Sequence, residues 1–272
     1  KYEYNIPFSM GYLEHVKFST KFNNVCILRE TGSNSDREMA AAFNMSGFTV
    51  FEYTTQDIIR TPKLLQQFNG IAFVGGFSYS DTFSSGYAWY HTLKSNKTVM
   101  AYLTDFYHYK NSFSLGVCNG CQLMSHLEWI PKCKVIKNDS EKFESRFSNV
   151  IVKKSNCMFT KGMDNTFFGI NVSHGEGKIV LDKSVHVSDI LDQCAPIRYA
   201  NDYREPTEMY PFNPNGSKYG IAGLCSKNGR HLAMMPHPER SFLKYQCQYI
   251  SENYKHLKKY SPWFQLFNNI TY

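Results

Sequence analysis

The chain has 272 residues, 42% of them hydrophobic and 19% charged, with a formal net charge of +7. That composition suits a folded domain with a full core, and no run approaches the ~18 apolar residues that a membrane span requires. The positive balance comes from scattered lysines with no basic block interleaved with aromatics, so it gives no support to nucleic-acid binding and fits a solvated face or an acidic partner domain equally well.

Residues 1–23 show no clear periodicity and read as a linker or docking arm, with Tyr2, Tyr4, Ile6, Phe8 and Tyr12 suited to lie on a neighbouring surface. The domain proper runs from Asn24 to the C-terminus. Val25–Leu28 is a short apolar run typical of a buried parallel strand. Ser35-Asp36-Arg37-Glu38 has capping-box spacing at the head of a helix with Met39, Ala42, Phe43 and Met45 on its apolar face, and Gly47 stands where that helix should end. Phe48–Tyr53 and Ile71–Val74 are further strands, the second running into Gly75-Gly76. Phe113–Val117 reads as a strand and Asn119–Leu127 as a helix, with Cys118 at the sharp turn between them. After about residue 150, short apolar runs at Val150–Val152, Gly169–Val172, Lys178–Leu181, Ile197–Ala200, Ile221–Cys225 and His231–Met235 alternate with Gly-, Pro- and Asn-rich turns, more meander than strand–helix–strand. Pro262–Ile270 closes the chain as a short aromatic helix. The expected fold is α/β: a doubly wound, mostly parallel sheet flanked by helices, with an added antiparallel β region.

In such sheets ligands gather at the carboxyl ends of the strands, where the loop after Val74 and the turn after Val117 both lie. Gly116 and Gly120 leave room for the backbone approach that a nucleophile elbow demands. A helix N-terminus favours a thiolate, so Cys118 is the candidate nucleophile. A cysteine in an apolar stretch is also commonly a small buried hydrophobe. The Cys118/Cys121 pair lacks the two further ligands at short spacing that zinc requires, so no metal site is expected. A cysteine nucleophile needs a base and the base an orienter. In Met235-Pro236-His237-Pro238-Glu239-Arg240, an extended segment directs Glu239 to the side of His237 away from the thiol, and the flanking prolines stiffen both. Backbone N–H groups of Gly76 and Asn119 are candidate oxyanion donors, although a Gly-Gly pair after a strand is often just a tight turn. The eight cysteines are too thinly spread for a stapled secreted scaffold. The Asn-x-Ser/Thr triplets at Asn44, Asn96, Asn138, Asn171, Asn215 and Asn269 are what an asparagine-rich chain generates by chance. A reducing, cytoplasmic setting is expected, and a chain opening at Lys1 without a signal-peptide pattern reads as a piece of a longer polypeptide or a processed product.

Gly116-Val117-Cys118-Asn119-Gly120-Cys121-Gln122 and Met235–Arg240 resemble the two active-site signatures of class I (triad) glutamine amidotransferases. Leu28–Asn34, Gly75–Tyr79, Phe143–Phe147, Ser173–Gly177, Tyr210–Ser217 and Ser261–Phe267, in the same order, are similar to the glutaminase domains of the formylglycinamidine ribonucleotide synthetase (FGAR amidotransferase) family. The resemblance implies a glutaminase whose Cys118, His237 and Glu239 form the triad, with Gly76 and Asn119 as the oxyanion hole. It further implies that Gln122, Ser173, His174 and Gly175 hold the amino-acid end of glutamine. It implies no cofactor in this domain, with ATP and magnesium belonging to synthetase domains of the same chain or complex that aminate formylglycinamide ribonucleotide in purine synthesis. Ser80 departs from the family's glycine, Ser84–Trp89 follows its pattern loosely, and Phe242–Lys259 lacks its tryptophans. Three other readings stand beside this one: a stand-alone glutaminase subunit, a non-catalytic interaction module, and a cysteine peptidase or deglycase of similar architecture.

Overall fold

The computed structural model describes residues 3–10, 24–84 and 86–271. Eleven strands are formed: β1 Asn24–Arg29, β2 Thr49–Thr54, β3 Gly70–Phe73, β4 Phe113–Val117, β5 Cys133–Ile136, β6 Glu144–Val152, β7 Phe167–His174, β8 Lys178–Leu181, β9 Ile197–Tyr199, β10 Ile221–Cys225 and β11 His231–Met234. The principal helices are α1 Asp36–Met45, α2 Thr55–Arg60, α3 Tyr87–Lys94, α4 Lys97–His108 and α5 Asn119–His126, with a C-terminal helix at Phe264–Asn268.

Nine strands make one sheet in the order β2-β1-β3-β4-β11-β10-β9-β6-β7. The pairings from β2 to β11 are parallel and those from β11 to β7 antiparallel. The antiparallel region is therefore an extension of the parallel sheet, joined through β11, and only β5 and β8 form a separate two-stranded ribbon. β3, β4 and β11 are buried along their whole length, the pattern of strands covered on both faces. Phe43 of α1 meets Phe48 at 5.5 Å and Phe267 of the C-terminal helix at 5.2 Å, both edge to face. Trp89 and Trp263 are fully buried, and each indole N–H has an acceptor, Thr55 Oγ1 and the Gly169 carbonyl respectively, both at 2.8 Å. These bonds remove the penalty of burying an unpaired donor.

The capping box expected at Ser35 does not form. Ser35 precedes α1, but its side chain makes no cap hydrogen bond; its hydroxyl accepts instead from Gly75 N at 2.8 Å. A capping box does stand at Thr54 and Asp57, at the head of α2. Gly47 follows the end of α1 with φ +95°, as a C-terminal glycine should. The described part of the N-terminal arm lies on this chain's own sheet: Asn5 exchanges two backbone hydrogen bonds with Phe167 of β7, at 3.0 and 2.8 Å. Tyr4 sits 4.3 Å from the Phe168 ring, and Ile6 N donates to Tyr254 Oη at 2.9 Å. The arm so covers an edge that would otherwise present unpaired backbone groups. Tyr2 and Tyr12 lie outside the described residues.

Two glycines bring α5 against the sheet. A Cβ on Gly120 would lie 2.0 Å from the Phe73 carbonyl oxygen, and one on Gly116 would lie 2.6 Å from the Gly120 oxygen. Gly120→Ala is expected to destabilise the fold by about 1–3 kcal/mol, since backbone must move to admit the methyl. Gly175→Ala meets nothing closer than Phe143 Cδ2 at 3.5 Å and is expected to change stability by less than ~0.5 kcal/mol. Thermal unfolding of the two variants checks the contrast.

Candidate active site

The turn between β4 and α5 places Cys118 at φ 53°, ψ −106°, a left-handed conformation that a side-chain-bearing residue rarely adopts. The turn is held from behind, because Cys118 N donates to the Met234 carbonyl at 2.9 Å and continues the β4–β11 pairing. The thiol faces the end of β7, with Sγ 3.5 Å from the Ser173 carbonyl oxygen.

His237 comes in from β11 through Met235 and Pro236. Its N–H donates to the Asn171 carbonyl at 2.8 Å, and its own carbonyl accepts from Ser241 Oγ at 2.9 Å. The extended segment expected at 237–239 is instead the start of a single 3-10 turn, Pro238–Arg240. Glu239 reaches back nonetheless, and its Oε1 lies 2.6 Å from His237 Nδ1 with both side chains buried. Nδ1 is thereby committed to the carboxylate, while Nε2 is buried without a conventional hydrogen-bond partner among the described residues. Burial by itself pushes this imidazole down, but the Glu239 charge and the Cys118 thiol more than offset it, and its pKa stands raised at about 10. The His237 imidazole is thus held as an imidazolium beside the thiol.

Gly75 is the floor between the two. A Cβ built there would lie 3.0 Å from His237 Cε1 and 3.4 Å from Cys118 Cβ, so any side chain would enter the space between the thiol and the imidazole. Gly76 follows at φ +143°, where a Cβ would strike Gly32 O and Ser33 Cα, both at 2.6 Å. Its N–H has no hydrogen-bond partner among the described residues. The N–H of Asn119, first in α5, likewise has no carbonyl one turn back. Side-chain bonds tie these pieces together: Ser78 N to Asn119 Oδ1 at 3.4 Å, Asn119 Nδ2 to Gln122 Oε1 at 2.8 Å, and Gln122 Nε2 to the Glu176 carbonyl at 2.8 Å.

The 173–177 segment divides its work. Ser173 offers its carbonyl to Cys118 and Gly175 opens onto a cavity of about 630 Å³, whose walls include Lys137, Glu141, Lys142, Phe143 and Glu176. The His174 imidazole turns inward, buried between Asn138 Oδ1 at 3.2 Å and Tyr199 Oη at 3.4 Å. Burial, with the His237 charge added, lowers its pKa to about 3, so it stays neutral. Asn138 also donates to the His174 carbonyl at 2.8 Å and accepts from Gly177 N at 3.0 Å; Asn215 donates to the Gly177 carbonyl at 2.7 Å. The sequence shows Asn138 only as a chance glycosylation triplet and Asn215 as a triplet within the Tyr210–Ser217 stretch, with no role for either, yet both side chains are buried and bonded. Arg240, overlooked beside Glu239, donates to Asn34 Oδ1 at 2.8 Å and lies 3.3 Å from Glu38 Oε1, joining the histidine segment to the loop after β1. All eight cysteines are free, and Cys121, pushed up by burial, faces the core.

This arrangement, a buried imidazole–carboxylate pair beside a strained cysteine with unpaired backbone donors on two sides, can perform acyl transfer through a thioester. Known proteins resemble this chain in sequence and in fold. The phosphoribosylformylglycinamidine synthase of Dictyostelium discoideum is 43% identical over 282 residues, covering 98% of this chain and 21% of that protein. The human protein of the same name is 40% identical over 265 residues, covering 90% and 20%. The chain therefore spans about a fifth of the length of these curated relatives. In fold it is similar to the structure of PurLQS from Thermotoga maritima, with a TM-score of 0.66 at 24% identity over 83% of this chain and 92% of that one. Residues 23–272 match the CobB/CobQ-like glutamine amidotransferase domain, and the chain belongs to that family.

Proposed function

We propose that this chain is the glutaminase domain of a phosphoribosylformylglycinamidine synthase, with residues 24–272 as the catalytic unit and 1–23 as a linker or docking arm whose described part packs on that unit. The observation that carries the reading is the buried His237–Glu239 pair, 2.6 Å apart, presented beside Cys118 at its strained turn. The Cys118 thiolate attacks the side-chain amide carbon of glutamine. Charge then gathers on the carbonyl oxygen, where the N–H groups of Gly76 and Asn119 receive it; one such donor is worth about 10²–10³ in rate. His237 passes its proton to the amide nitrogen, the C–N bond breaks, and ammonia leaves a glutamyl thioester on Cys118. A water gives a proton to His237 and adds to the thioester, releasing glutamate and restoring the thiolate–imidazolium pair. Glu239 keeps Nδ1 protonated throughout and transfers no proton.

The amino-acid end of glutamine is a zwitterion, and the cavity beside Gly175 offers both signs of charge to it. Gln122, Ser173 and Gly175 line or support that approach, and His174 holds the segment from within. The ammonia passes to synthetase domains that use ATP and magnesium on formylglycinamide ribonucleotide, in the cytoplasm. No step on this chain is routed through a metal. No helix of the described residues is long and apolar enough to cross a membrane.

Cys118→Ser is expected to abolish glutamine-dependent synthesis by the full-length enzyme while ammonium salts still support it, because a neutral serine here lacks thiolate nucleophilicity. Loss of both activities would show Cys118 to be structural. A glutamine-mimicking diazo-ketone should label Cys118, and recovery of the label on Cys121 would overturn the assignment.

A pH profile tests the orienter. His237 is raised, so it holds its proton through neutral pH and gives it up as pH climbs through about 10. Glu239→Gln removes the largest raising influence and leaves Cys118 alone against burial, which lowers it. The alkaline limb of glutaminase kcat/KM should move to lower pH, and kcat should fall less than in His237→Ala. An unmoved limb would assign Glu239 another task.

A further inference from the structure

We infer that Ser35 is a positioning residue for the oxyanion hole, acting through the peptide groups of Gly75; the inference rests on the glutaminase reading above. The segment after β1 and the segment after β3 are zipped together at the site. Tyr79 N donates to Thr31 O at 3.0 Å, Phe77 N to Gly32 O at 2.9 Å, and Asn34 N to Gly75 O at 3.1 Å. The one contact in this set made by a side chain is Ser35 Oγ, which accepts from Gly75 N at 2.8 Å. Gly75 is thus held on both sides, its N–H by Ser35 and its carbonyl by Asn34.

Three observations make the hydroxyl's use specific. Serine just before a helix ordinarily caps it, and forgoing the cap loses about 1 kcal/mol; here the cap bond is absent and the hydroxyl is turned to the loop. Ser35 is fully buried, and its Oγ stands 3.2 Å from where a Cβ on Gly75 would lie, one layer behind His237 and Cys118. The next residue, Gly76, sits at φ +143°, a conformation only glycine holds without strain, and its N–H has no partner among the described residues. Two consecutive glycines leave their peptide free to rotate unless something pins it. With the Gly75 N–H drawn back to Ser35 and its carbonyl drawn to Asn34, the Gly76 N–H is left to face the cleft. Asn34 is itself bonded to Arg240 on the histidine segment, at 2.8 Å. The clamp therefore ties the oxyanion donor to the segment that carries the base.

The test uses the full-length enzyme bearing Ser35→Ala, with Ser35→Thr as the rescue. Removing the acceptor should lower kcat for glutamine hydrolysis about tenfold, a fraction of the 10²–10³ that a whole oxyanion donor supplies. KM for glutamine should stay within about twofold, because the clamp acts where charge develops in the transition state. Alkylation of Cys118 by iodoacetamide needs the thiolate but no oxyanion hole, so its rate should be unchanged, as should synthesis from ammonium chloride. Threonine keeps the hydroxyl and should restore kcat. Unchanged kcat in Ser35→Ala, or parallel losses in kcat, alkylation and ammonia-dependent synthesis, would overturn the inference. Should the alanine variant fail to fold, amide exchange in the wild type decides: Gly75 N–H protected like the β1 amides supports the clamp, and rapid exchange refutes it. Failure of the glutaminase reading is seen separately, as glutamine hydrolysis that persists in Cys118→Ala.

Discussion

The approach of Gly120 to the Phe73 carbonyl sets the position of the Cys118 sulfur. A helix that starts so close to β3 leaves no room for an ordinary strand-to-helix connection. The chain turns through a left-handed residue, and that residue is Cys118. Holding a non-glycine there costs roughly 1–2 kcal/mol. The bond from Cys118 N to Met234 O and the fully buried strands on either side over-determine the turn and offset that cost. The same packing keeps the side chain at the tip of the elbow and leaves the Asn119 N–H without a partner. The strain at Cys118, the position of its thiol and the free Asn119 N–H are a single geometric consequence of two glycines.

Two histidines near this sulfur show how environment divides roles. His237 and His174 are both buried and within each other's field. His237 is paired with a carboxylate and a thiol and holds its proton; His174 is bonded only to neutral groups, Asn138 and Tyr199, and does not. Two adjacent imidazolium ions would repel, and the asymmetric partners remove that repulsion. A neutral His174 can serve as a support for the 173–177 segment without altering the charge of the base. Its bonds with Asn138 fix the stretch whose Ser173 carbonyl meets Cys118.

The parallel half of the sheet and the elbow were legible in the sequence because buried parallel strands are uniformly apolar and the elbow needs small residues at fixed spacing. Phe113–Val117 is the strand observed, and Cys118, His237 and Glu239 converge as their motifs suggest. What was not legible is where short polar side chains point. Ser35-Asp36-Arg37-Glu38 has the letters of a capping box, but the Gly75 N–H competes for the hydroxyl and wins. Asn96 read only as a triplet and is in fact the N-cap of α4, accepting from Val99 N at 3.0 Å. Asn138 and Asn215 look like surface residues by composition and are buried, because local and tertiary partners together satisfy the amide groups they bring. α3 is eight residues with only Trp89 and Leu93 buried, a weak local signal, whereas α4 buries Val99, Leu103 and Phe106 at helical spacing and carried a pattern that could have been read. The antiparallel strands were visible as runs, but their continuity with the parallel sheet depends on β11 pairing on both sides, which no local pattern encodes.

Ser80 draws these points together. It stands where the family it resembles carries glycine, and the structure places it at φ 55°, ψ 34°, the left-handed region that glycine occupies freely. Tyr79, Asp81, Phe83 and Ser84 share that hand, so glycine's absence at one position is not compensated by relaxed neighbours. Such a segment persists only where its surroundings hold it. Tyr79 supplies that hold, with its N–H on Thr31 O and its hydroxyl accepting from Thr92 at 3.1 Å, beside the buried Glu30. Of those anchors, Thr31 lies on the strip, Thr31 to Ser35, that also grips Gly75, while Thr92 stands on α3. The strained loop and the Gly75-Gly76 turn are thus both hydrogen-bonded to one strip of backbone, through Tyr79 N to Thr31 O and Asn34 N to Gly75 O.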